Sequence, residues 1–164
     1  MIFETKDFFI DKVDIKDVED IVMVYNSHPH FLMNHMEVNE INKEWLLEEL
    51  DAMKNIDFNS TKVVEKASGK LVGIIDYKIE EETYLSLLMI HNDCLNKGFG
   101  KVIYQAFEEY IKLEQSKFIR IDVVTDYNDR VLSFWTNNGF KKIETIELNW
   151  TGKVLPAVIM KKSL

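Results

Sequence analysis

The stretch Asp93-Cys94-Leu95-Asn96-Lys97-Gly98-Phe99-Gly100-Lys101 sets two glycines between two lysines. It lies between an apolar run, residues 84–90, and a segment whose apolar residues recur with helical spacing. A helix that starts at such a loop presents unpaired main-chain N–H groups and the positive end of its dipole, and glycines let a ligand come close to them. With Lys97 and Lys101 adding charge, the expected chemistry is the binding of a phosphate or diphosphate. The same glycines also suit a tight strand-to-helix turn that holds nothing.

Two known phosphate patterns can be tested at once. A P-loop needs glycine at residue 95, where Leu95 stands, and Ser or Thr after Gly100-Lys101, where Val102 stands. That pattern is excluded. The dinucleotide pattern wants a small residue at 103, where Ile103 stands, although Asp122 is an acid at a suitable distance for a ribose. A nucleotide-binding domain therefore stays open as a third-ranked reading. His28, His30 and His35 cluster within residues 26–35, but no carboxylate or cysteine completes a ligand spacing, so no metal is expected. Cys94 is the only cysteine, which rules out an internal disulfide and suits a reducing compartment.

These residues need elements to hold them. Residues 8–13 predict a first strand. Asp14 is placed to cap a helix with the apolar stripe Val18, Ile21, Val22 and Tyr25, which His28-Pro29 ends. A polar loop and a second helix follow, from residue 39 or 42 to 54, burying Leu46, Leu50 and Met53. Residues 61–80 read as a hairpin turning at Ser68-Gly69, and residues 84–90, apolar on both faces, as a covered central strand. After the glycine loop, Val102, Ile103, Ala106, Phe107, Tyr110 and Ile111 form one stripe, with Lys101, Gln105, Glu108, Glu109 and Lys112 opposite. Residues 118–124 predict a strand parallel to its predecessor, because a helix separates them. A short helix from Asn128 carries Val131, Phe134, Trp135 and Asn138 on one side and ends at Gly139; residues 140–148 and 153–162 close the chain as two strands.

At 164 residues, without repeat or linker, one domain spanning 1–164 is expected. The fold class is α/β (α+β): a mixed, mostly antiparallel central sheet of about seven strands with flanking helices. A net charge of −8 argues against nucleic acid and is mildly favourable to cationic partners such as amines. No apolar run is long enough to span a membrane, and the N-terminal residues carry acids where a signal peptide carries bases, so a cytoplasmic protein without a membrane partner is expected.

The order of elements resembles that of the GCN5-related N-acetyltransferase (GNAT) family, and two segments resemble its motifs. The first, Leu95-Asn96-Lys97-Gly98-Phe99-Gly100, is similar to the family's Q/R-x-x-G-x-G/A, with Leu95 in place of Gln or Arg. The second, Asn128 to Phe140, ends in the aromatic pair Phe134-Trp135 and Gly139-Phe140, as the family's does.

The resemblance implies the acyl-CoA N-acyltransferase fold and acetyl-CoA as acyl donor. It implies that Leu88, Met89 and Ile90 offer backbone groups to pantetheine, with an N–H near Met89–Ile90 for the oxyanion. Lys97, Gly98, Phe99, Gly100 and Lys101 would hold pyrophosphate, and Asn128, Phe134 and Trp135 would line the cofactor's other side. It further implies transfer of acetyl to a primary amine of a small molecule or protein by direct attack. Removing a proton from a lysine-like amine at pH 7 costs about 4.6 kcal/mol, so a base is needed; Asp76 and His91 are the expected ones, with Glu80 and Glu81 nearby. His28, His30 and Phe31 would border the acceptor pocket. Trp135 occupies the place where many members put a Tyr that protonates the leaving sulfur, and an indole cannot serve as that acid; Tyr127 or water could. A catalytically silent CoA-binding sensor is the competing reading. A homodimer through residues 154–160 is an open expectation.

Overall fold

The computed structural model describes residues 1–125, 129–150 and 152–164. Eight strands form one sheet in the order β1-β2-β3-β4-β5-β6-β8-β7: β1 (Phe3–Glu4), β2 (Phe8–Lys12), β3 (Asn59–Glu65), β4 (Leu71–Lys78), β5 (Glu82–Ile90), β6 (Phe118–Val124), β7 (Lys141–Trp150) and β8 (Lys153–Ser163). Only β5 and β6 run parallel. The strand beyond the expected seven is β1, two residues that extend the β2 edge.

Among the described residues five α-helices cover the sheet: α1 (Val18–Asn26), α2 (Pro29–Met36), α3 (Lys43–Asn55), α4 (Phe99–Leu113) and α5 (Asp129–Asn137). Asp14 caps as expected, but caps a 3-10 turn, Ile15–Asp17, that runs into α1; Asp17 accepts back from the Asp14 amide, and Lys62 pairs with Asp17 at 2.7 Å. Within α1 it is Val24, not Val22, that is fully buried. The polar loop expected after His28-Pro29 is instead helix α2. Pro29 opens it at a position where no amide donor is needed, and burial of Leu32 and His35 holds it down.

The two faces have separate cores. Val18, Ile21, Val24, Tyr25 and Leu46 pack with Ile74 and Met89 beneath α1 and α3. Ile103, Phe107, Ile111 and Trp135 pack with Ile75, Tyr77, Ile90, Ile121, Val123 and Met160 beneath α4 and α5. Neighbours Ile74 and Ile75 point to opposite faces, as strand geometry demands.

Helix α4 is rotated from the expected stripe: Tyr104 and Glu108 are buried while Val102 is exposed. Burial would raise the Glu108 pKa, but bonds from Lys162 (2.6 Å), the Tyr104 hydroxyl (2.8 Å) and Lys112 (3.2 Å) outweigh it and hold the carboxyl below its usual value. The charge is tolerated because the buried Tyr104 hydroxyl and two lysines reaching in from the surface satisfy it. At α5, Phe140 N–H bonds to the Trp135 carbonyl, and Gly139, at φ 93, takes the left-handed turn that ends the helix.

Candidate active site

Strands β5 and β6 pair over only three rungs, Glu82↔Phe118 to Tyr84↔Arg120, yet β5 continues to Ile90 and β6 to Val124. The separation has a local cause. Across β4, Leu85 faces Tyr77 and Leu87 faces Asp76, so Ser86 is an extra residue without a partner, a bulge. Below it, Glu81 and Thr83 turn their backbone groups toward β6: the Glu81 carbonyl takes the Lys117 amide at 2.8 Å, and the Thr83 amide bonds to Ser116 Oγ at 3.2 Å. Above it the alternation is reversed. The His91 amide bonds to the Val72 carbonyl at 2.7 Å, so Met89 faces β4 while the amides of Leu88 and Ile90 face the gap.

The gap is the floor of a cleft of about 640 Å³. Its walls include Ser27, His28, His30, Phe31 and His35 from the α1–α2 corner, Tyr84 to Ile90, Leu95, Asn96 and Gly100 from the loop, Ile121 to Val124, and Arg130, Val131, Phe134, Trp135 and Leu148. Two bonds stitch the corner to the end of β5: His28 Nε2 donates to the Ile90 carbonyl at 2.6 Å, and the Asn92 amide donates to Ser27 Oγ at 3.0 Å. A carbonyl oxygen only accepts, so Nε2 carries a hydrogen in this bond.

The glycine loop ends beside the cleft. Gly98, at φ 77, is the N-cap of α4 and has no side chain to bond the helix amides; no acidic residue stands in the first turn. The amides of Phe99, Gly100 and Lys101 thus point out of the helix start without intrahelical acceptors. A Cβ on Gly100 would meet the Phe134 ring at 3.6 Å, an ordinary contact. The side chains around it diverge. Phe99 packs edge-on against Phe8 at 4.9 Å, Lys97 Nζ lies 5.9 Å over Phe99, and Lys101 lines a separate depression with Gln105, Glu108 and Lys162. Main-chain groups are what Gly98, Phe99 and Lys101 can offer here.

Of the remaining expected residues, Leu88, Met89, Ile90, Phe134, Trp135, His28, His30 and Phe31 line the cleft, and Lys97 and Gly98 do not. Trp135 is 8% exposed, held by Tyr104 at 5.3 Å and Phe140 at 5.2 Å. Asn128 and Tyr127 lie outside the described residues.

Asp76 and His91 are not in the cleft wall. His91 Nδ1 accepts the Asp93 amide at 3.1 Å and caps the turn after β5. Asp76 is buried under α1 and α3 near Tyr25 and Glu49; burial pushes its pKa up to about 7, against a weaker pull from Ser60 across the strand pair, and its Oδ1 has no hydrogen-bond partner among the described residues.

The carboxylate that does line the cleft is Asp122. Its side chain is 5% exposed; Oδ1 accepts Arg120 Nε at 3.0 Å, and Oδ2 accepts Arg120 Nη2 and the Tyr84 hydroxyl, both at 3.2 Å. Burial and Asp122 together raise the Tyr84 pKa. Tyr84, Ser86, Leu87, His35 and Leu148 also belong to the cleft and carry no sequence motif. A bulge changes which residues face inward without leaving a residue-type signature.

A model of the acetyltransferase (GNAT) family matches residues 24–140. An uncharacterised N-acetyltransferase of Acanthamoeba polyphaga mimivirus is 32% identical over 91 residues, which are 54% of this chain and only 22% of that protein. An acetyltransferase of Thermus thermophilus superposes with a TM-score of 0.78 at 18% identity, over 96% of this chain and 97% of the other. The PaiA N-acetyltransferase of Thermoplasma acidophilum, solved in complex with coenzyme A, superposes at 0.70 with 24% identity, over 96% and 99%.

Proposed function

The chain belongs to the GNAT acetyltransferase family, and from that premise we propose that it transfers an acetyl group from acetyl-CoA to a primary amine. The observation that carries the reading is the parting of β5 and β6 at the Ser86 bulge beside the uncapped start of α4. The residues fit a ligand with a diphosphate at one end and an amide-containing arm at the other. Three outward amides at residues 99–101 suit the anion, and the gap-facing groups of Leu88 and Ile90 suit an arm lying along the strand. Bound there, acetyl-CoA supplies the activated acetyl thioester.

The chain's own residues supply the rest. The Leu88 or Ile90 amide, fixed by strand geometry, stabilises negative charge on a carbonyl oxygen placed in the gap. The acceptor enters from the α1–α3 side, where Tyr84, Leu87 and Asp122 present their side chains, while the donor lies toward α4 and α5. Its amine forms the new C–N bond as the C–S bond breaks. Its proton goes to Asp122, directly or through water, because among the described residues this is the carboxylate in the wall. Sulfur leaves as a thiolate, which a thiol of pKa about 8.5 permits without a phenol at 135.

The test is thiol release from acetyl-CoA over a panel of amines, with thermal stabilisation by CoA measured beside NAD and ATP. Release with at least one amine and stabilisation by CoA alone are expected. Tight CoA binding with no release from any amine would favour a silent CoA-binding module, the reading to which the buried Trp135 lends weight.

A further inference from the structure

The cleft opens on both faces of the sheet, and its α1–α3 mouth has a definite chemical character. Phe31 and His35, one helical turn apart on α2, stack with ring centroids 4.1 Å apart and planes at 26°, and both line the cleft. Tyr84 stands in the same wall, backed edge-on by Phe58 at 6.0 Å. Leu87, Val124 and Leu148 supply the intervening surface, and Leu148 and Val124 share a small core with Leu155 and Ala157. Lys153 at the start of β8 lies 3.5 Å from Glu37 at the end of α2, an exposed ion pair beside this wall.

Charge decides what such a mouth accepts. Among the described residues lining the cleft, Asp122 is the one carboxylate, and three of its lone-pair positions are taken by Arg120 and Tyr84. One position on Oδ1 is left for a donor. The net charge of −8 therefore resides elsewhere, on outer helix faces such as that of Glu44, Glu48 and Asp51. A polyamine or aminoglycoside would bring several ammonium groups into a wall able to receive one, and each of the others would lose water without compensation. A flat apolar body loses nothing there and gains ring contacts.

Resting on the acetyl-transfer reading, we propose that the acceptor is a monoamine carried on an aromatic or similarly flat apolar body. Its ring sits in the Phe31, His35, Tyr84 and Leu148 mouth, and its single nitrogen reaches toward Asp122. Phe31 is then a specificity residue.

The experiment compares kcat/KM at saturating acetyl-CoA for 2-phenylethylamine and tryptamine against ethanolamine, spermidine and kanamycin, in the full chain and in Phe31→Ala and Phe31→Leu. The arylalkylamines should exceed the others by at least tenfold. Phe31→Ala should raise their KM by about tenfold with kcat little changed, Phe31→Leu should recover part of it, and both variants should keep the wild-type KM for acetyl-CoA and the wild-type stabilisation by CoA. Preference for spermidine or kanamycin, or an equal loss for every amine in Phe31→Ala, would overturn the substrate class while leaving acetyl transfer intact. Thiol release with none of the five amines, CoA still binding, would take the transfer reading and this one together.

Discussion

Gly98 and Gly100 answer different constraints although they stand two residues apart. Gly98 adopts φ 77, where a Cβ costs about 1–2 kcal/mol, so Gly98→Ala should lower stability by about that much, read by chemical denaturation. Gly100 has room for a methyl group against Phe134. Gly100→Ala should therefore not lower the melting temperature, and the helix preference for Ala over Gly raises it by a few degrees at most, while the added methyl weakens CoA binding measured by calorimetry. Unchanged affinity in that variant would mean that no ligand approaches the loop backbone. Asp122 is the other residue with a sharp consequence: Asp122→Asn keeps its shape but cannot take a proton, and should lower kcat for amine transfer by about a hundredfold with the KM for acetyl-CoA unchanged.

Among the elements, α4 and β5 depart most from what their residue types announce. The apolar stripe of α4 is legible, but its rotation is not, because Glu108 is tolerated inside only through Lys162, 54 positions along the chain, and Tyr104 and Lys112 on its own helix. Removing that carboxylate leaves the buried Tyr104 hydroxyl unmatched, while Lys112 and Lys162 turn to water. Glu108→Ala should destabilise by about 1–2 kcal/mol, the cost of one buried donor left unpaired, with Glu108→Gln intermediate, both measurable by urea unfolding. In β5 the apolar run from Tyr84 to Ile90 reads as a strand covered on both faces; Leu85, Met89 and Ile90 are buried, but Tyr84, Ser86, Leu87 and Leu88 are only half-buried because they line the cleft. The bulge at Ser86 exchanges the faces of everything after it, and that exchange turns the Leu88 and Ile90 amides into the gap.

At the scale of the whole molecule, the sheet is split near its middle and crossed by a cleft, with two cores keeping the halves of the helical layer apart. Asp76 lies in the α1–α3 core, and its raised pKa makes stability depend on pH. Between about pH 4 and 7 the unfolded chain gives up this proton while the folded chain keeps it, so the group's contribution falls as pH rises and levels off above 7. At about 1.36 kcal/mol per unit the cost at pH 8 is about 4 kcal/mol at most. Asp76→Asn should flatten this slope and be relatively more stable than the parent at pH 8 than at pH 4, as denaturant midpoints at the two values would report. The same variant should retain amine transfer, because Asp76 stands outside the cleft wall.

What the residues by themselves determined is local and periodic: the glycine loop opening a helix, the Asp14 cap, the hairpin at Ser68-Gly69, the parallel strand after α4 and the motif that ends at Gly139-Phe140. Each follows from backbone freedom, capping or burial within a few residues along the chain, so neighbouring types suffice to announce it. The tertiary structure alone decided that Pro29–Met36 is a helix, that Glu108 is inside, and that Asp122 and Tyr84, rather than Asp76 and His91, face the cleft. These depend on partners tens of residues away and on one unpaired residue in a strand, and a shift of register reverses the facing of side chains without altering a single residue type.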